Sequence, residues 1–135
     1  MRKERGFSLL EVMISVFVLA IGLLGLAGLQ LTSMQNGHSA FLRSQATLAA
    51  YSIIDDMRAN LGNKDDYAIN LAATASGTGG LAQDDINDWL ADLAAELPAG
   101  DGSVAVNGNR VTVAVQWSDR GTQGNTKTFT VVTDI

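Results

Sequence analysis

The chain has no cysteine, one proline and one histidine in 135 residues. Without thiols there are no disulfides, no zinc-thiolate or iron–sulfur sites and no cysteine nucleophile. The absence does not fix a compartment, because oxidising compartments permit disulfides without requiring them. Charged residues make up only 17% and the net charge is −5. An acidic balance excludes nucleic acid as the main partner, since phosphates demand a basic surface. The strongest lack is local. From Val12 to Leu42 there is no Asp, Glu, Lys or Arg.

What surrounds that gap is asymmetric. Residues 1–6 carry three basic residues and one acidic residue, and Glu11 follows. Residues 43–135 carry 6 basic and 12 acidic residues. The 18 residues from Val12 to Leu29 are interrupted only by Ser15 and three glycines. As a helix they span roughly 27 Å, close to the ~30 Å hydrocarbon thickness of a bilayer. The cationic start predicts a cytoplasmic N-terminus, with the acidic remainder on the far side of the membrane. A secretory signal peptide competes with this reading: Arg2–Arg5 as its basic region, Val12–Leu24 as its apolar region, and Gly25-Leu26-Ala27 as its cleavage site. Glu11 at the mouth of the apolar run, and a helical pattern that continues past Ala27, count against it.

From Leu42 the apolar residues Leu42, Ala46, Ala49, Ala50, Ile53, Met57 and Leu61 fall on one helical arc. No proline interrupts residues 7–61, and Gly62-Asn63 is a stop signal. The pattern predicts one helix from Phe7 to Leu61, roughly 80 Å long. Gly22, Gly25, Gly28 and Gly37 each cost it about 1 kcal/mol relative to alanine. In lipid they allow close helix approach; in water they allow unwinding. Residues 62–82 read as a loop. A second helix opens at Asp84, buries Ile86, Leu90, Leu93 and Leu97, and ends at Pro98 and Gly100. Three strands follow: around Val104 and Val106, from Val111 to Trp117, and from Thr128 to Thr133, with a turn at Asn107-Gly108-Asn109. Trp89 and Trp117 both fall in apolar registers and read as core. The fold class is α+β: a long N-terminal helix packed on a small head with a second helix and a three- to four-stranded antiparallel sheet.

Little of this is catalytic. His38 reads as a solvated or interfacial side chain just past the apolar run. Asp84, Asp85, Asp88 and Asp92 lack the glycine and spacing of a calcium loop and read as a solvated helix face. Ser76-Gly77-Thr78-Gly79-Gly80 lacks the Gly-Lys-Ser/Thr of a phosphate loop. No catalytic group, cofactor or metal is expected. The informative side chain is Glu11, because a carboxylate in an apolar helix is costly unless it is partnered. If the chain were cut after Gly6, Phe7 would carry a free ammonium, and Glu11 would lie four residues on, on the same helical face. The partner is that amine or the amine of a neighbouring subunit.

Lys3-Glu4-Arg5-Gly6-Phe7-Ser8-Leu9-Leu10-Glu11-Val12 resembles the class III signal of type IV prepilins and pseudopilins. The resemblance implies that prepilin peptidase cleaves between Gly6 and Phe7, that Phe7 is then N-methylated, and that Glu11 is the assembly carboxylate. Ile21-Gly22-Leu23-Leu24-Gly25-Leu26-Ala27-Gly28-Leu29-Gln30 resembles the PilV-type minor pilins. So do Asp56-Met57-Arg58-Ala59-Asn60, Trp89 with Leu97-Pro98-Ala99-Gly100-Asp101-Gly102, and Val113–Asp119. Major pilins usually carry a proline in the apolar helix and a C-terminal disulfide loop, and this chain has neither. On this resemblance residues 1–6 are a cytoplasmic leader, 7–34 the transmembrane and assembly half of the helix, and 35–135 a periplasmic head. The implied place is the bacterial inner membrane and then the pilus surface, supporting twitching motility and adhesion. The implied partners are other minor pilins, the major pilin, a tip adhesin, prepilin peptidase and the inner-membrane assembly platform. A minor pseudopilin of a type II secretion system shares the same leader, helix and head. A secreted periplasmic binding domain behind a conventional signal peptide is the alternative from another class.

Overall fold

A computed structural model describes residues 6, 8–74, 80–119 and 125–135. Phe7, the leader residues 1–5, most of the Ser76–Gly80 stretch and residues 120–124 lie outside the described residues. The chain divides into two compact units, Met1–His38 and Ser39–Ile135.

The first element, α1, is a helix from Leu9 to Ala59, 51 residues long. The expected helix to Leu61 stops two residues earlier, and Leu61 is exposed rather than part of the buried stripe. Ile54 takes a place in that stripe, beside Leu42, Ala46, Ala50, Ile53 and Met57. The polypeptide leaves α1 through a 3-10 helix, Leu61–Tyr67, kinked at Asn63. The sequence placed a featureless loop here, because short 3-10 turns leave no apolar period. Ile69 then forms an isolated antiparallel bridge with Val104. That bridge is all there is of a fourth strand among the described residues.

The second helix, α2, runs from Leu81 to Glu96, starting three residues before Asp84. It buries Ala82, Ile86, Trp89 and Leu93. Leu97 is also buried, and Leu90 is half-buried against the same core. Three strands follow: β1 (Asp101–Asn107), β2 (Arg110–Ser118) and β3 (Thr126–Asp134). They form one antiparallel sheet in the order β1-β2-β3. Gly108, at φ +63, turns β1 into β2, a conformation that glycine adopts without steric cost.

β2 alternates strictly, with Val111, Val113, Val115 and Trp117 buried. These side chains meet the buried stripe of α1 and the apolar face of α2 in a single core. Both tryptophans belong to it, Trp89 at 5% and Trp117 at 3% exposure, as their registers predicted. The Trp89 indole N–H also donates to the Ala49 carbonyl at 2.9 Å, which ties α2 to α1.

Candidate functional site

The N-terminal unit has the opposite character to the head. Every described residue from Leu9 to His38 is exposed. Leu9 is 80% and Leu24 73% exposed among the described residues. An apolar helix cannot stay bare in water, because each leucine-sized side chain left uncovered forgoes about 1.5–3 kcal/mol. The helix is long and apolar enough to cross a membrane. Two of its hydroxyls are satisfied within the helix: Ser15 donates to the Glu11 carbonyl (2.7 Å) and Thr32 to the Gly28 carbonyl (3.0 Å). Such back-bonding removes the cost of a free hydroxyl in lipid. Gly22, Gly25, Gly28 and Gly37 lie within continuous helix, and a methyl group added at any of them meets nothing within 4 Å.

Glu11 lies in the first turn of α1. The Ser8 carbonyl accepts the Glu11 N–H (3.0 Å) and the Val12 N–H (3.2 Å). A carboxylate in the first turn is favoured by the unpaired N–H groups of the helix start. Ser8 and Glu11 also have the spacing of a capping box. Gly6 is exposed just before the helix. Gly6 and Glu11 are therefore both placed at the N-terminal end of α1, while Phe7 lies outside the described residues.

A profile for the prokaryotic N-terminal methylation motif matches residues 1–27. Residues 1–27 thus carry the N-terminal motif of type IV pilin/pseudopilin-like proteins. The motif is that of prepilins and implies processing by prepilin peptidase and assembly with other pilins. Its apolar helix holds this pilin-like chain in the inner membrane before assembly into a pilus or pseudopilus. It is a structural protein rather than an enzyme. No match was found among curated proteins, and none among solved structures.

Two features of the head were not legible in the sequence. The first is a second apolar strip. Phe41, Leu48 and Tyr51 are 56%, 66% and 51% exposed, on the face of α1 turned away from the core. Their signal is the seven-residue step from Phe41 to Leu48, which repeats one helical face. The second is a polar clamp. The buried Tyr67 hydroxyl donates to the Asp85 carboxylate, and Asn60 Nδ2 donates to the tyrosine oxygen at 3.4 Å. Burial, with the Asp85 hydrogen bond, pushes the Tyr67 phenol up to about 12. Burial, with Asp85 and Asp55 nearby, also raises Asp56. Of the four aspartates read as a solvated face, Asp84, Asp88 and Asp92 are exposed. Asp85 differs, because it serves this clamp.

Proposed function

We propose that this chain is a minor pilin of a type IV pilus, of the PilV type. Prepilin peptidase cleaves it between Gly6 and Phe7, Phe7 is N-methylated, and Glu11 is the assembly carboxylate. Residues 1–6 are then the cytoplasmic leader, 7–34 the membrane and assembly segment, and 35–135 the periplasmic head. The observation that carries the reading is the bare apolar helix with one carboxylate in its first turn. A helix exposed over its whole N-terminal unit needs lipid first and neighbouring helices later. A charge at its mouth needs a cationic partner in both settings. The amine created by cleavage supplies one, on the same chain or on the next subunit.

The absence of cysteine and of a proline in the apolar run supports a minor subunit over a major one. In this role the chain joins other minor pilins, the major pilin and a tip adhesin on the inner-membrane assembly platform. It primes pilus assembly and supports twitching and adhesion. Because it retains Glu11, it has a subunit above it and is not the topmost one. Chromosomal Glu11→Ala tests the carboxylate: the variant is cleaved and accumulates in the membrane, but its level in sheared pili falls about tenfold or more, as expected for a lost charge pair of at least 1.4 kcal/mol. Normal incorporation would sink the assignment. Deletion of the gene abolishes twitching and leaves exoprotein secretion intact; the reverse phenotype assigns the chain to a type II pseudopilus.

A further inference from the structure

β3 is an open edge of the sheet. The other edge is occupied: Ile69 and Val104 exchange two backbone hydrogen bonds of 2.9 Å, and the Asp101 carboxylate accepts the Gly102 N–H at 2.7 Å. On the β3 side, the Ile135 N–H donates to Asn109 and the Asp119 N–H to Asn125. These bonds fix the alternation, so that odd-numbered residues of β3 turn their backbone groups toward β2. Thr126, Thr128, Thr130 and Val132 turn theirs outward, and no described group meets them. Asp134 also turns outward, and its carbonyl accepts the Thr133 hydroxyl at 3.5 Å.

Edges of this kind are normally guarded by lysine, proline, a bulge or a covering loop. From Thr128 to Thr133, β3 has no charge and no proline. Its register with β2 is unbroken from Arg110↔Asp134 to Ser118↔Thr126. On the core face, Phe129 and Val131 are only half-buried. A further strand beside β3 would complete their burial.

We propose that β3 receives a strand from a different polypeptide of the pilus or pseudopilus. The partner segment is extended, free of proline, and about eight residues long, enough to run alongside β3 from Asp134 to Lys127. It carries an apolar side chain at every second position, to cover Phe129 and Val131. Running antiparallel, it ends with an acidic residue near Lys127, while Asp134 at the other end already pairs with Arg110 at 3.4 Å. A second copy of this chain fits poorly. The head part of α1 passes from the Ser39–Asp119 contact toward the Lys64–Asn109 contact, in the same direction as β3. A two-fold antiparallel β3 pair would therefore point the two heads in opposite directions. Subunits repeated along one filament all point the same way, so the inference rests on the pilin-like reading.

Amide hydrogen exchange on the full-length chain tests it, first in detergent micelles alone and then in sheared filaments. The amides of Thr128, Thr130 and Val132 exchange about tenfold or more slowly in the assembly, whereas Phe129 and Val131 are protected in both. Thr130→Pro removes only an outward donor. This variant keeps its melting temperature in micelles and loses incorporation into filaments. Unprotected outward amides in filaments that contain the chain overturn the proposal, as does wild-type incorporation of folded Thr130→Pro. Outward amides already protected in a purified dimer overturn it in favour of self-pairing. If Thr130→Pro fails to fold, the exchange measurement decides alone. Absence of the chain from every filament overturns the pilin-like reading as well, which separates the two failures.

Discussion

At Gly102 the head tolerates no side chain at all. The residue is buried in β1, and a methyl group there would overlap the Trp89 ring and the Leu93 side chain. Trp89 cannot retreat easily, because its indole N–H is held by the Ala49 carbonyl. Gly102→Ala is therefore expected to destabilise the head by about 1–3 kcal/mol, the usual cost of overpacking. Thermal or urea unfolding of the full-length protein in detergent checks this. The Tyr67 hydroxyl makes a second prediction. An unfolded tyrosine loses its proton near 10, while the folded one keeps it to about 12. The native state then binds more protons than the unfolded state across that interval, so stability is intact below pH 10 and falls as pH rises toward 12. Tyr67→Phe costs about 1–2 kcal/mol at neutral pH through its lost hydrogen bonds. The same variant flattens the alkaline decline, as stability measured against pH will show. Neither residue stood out in the sequence. Nothing around Gly102 in the sequence shows that the Trp89 ring lies against it. Tyr67 lies 18 positions from its carboxylate, a pairing that no local period reports.

Among the elements, α1 was the most legible. A long uncharged run and a one-sided stripe each leave a periodic record, and both are found where expected. β2 was legible for the same reason, since strict alternation encodes a half-buried strand. The 3-10 helix after α1 and the Ile69 bridge were not, because they are too short to carry a period. The exposed strip on α1 has consequences for assembly. Phe41 and Leu48 contribute nothing to the core, so replacing both by serine changes stability by no more than about 0.5 kcal/mol. If neighbouring pilins cover this face, the double variant folds and inserts normally, yet its share of sheared filaments drops severalfold. Quantitative blotting of membrane and filament fractions reads both effects.

For the whole molecule, the gap in charge that separates the two ends of the sequence is also the boundary of its chemistry. The described residues of the apolar unit are exposed, and the head is closed by one small core without a disulfide. A head of this size buries a smaller fraction of its surface than a larger domain does, so its core contributes modestly. If the leader is removed at Gly6 and the rest of the helix is kept for assembly, mass spectrometry of the mature protein from sheared filaments and membranes will find a single N-terminus at N-methylated Phe7, present in both fractions. An N-terminus near Gly28, in a soluble periplasmic fraction, would contradict it.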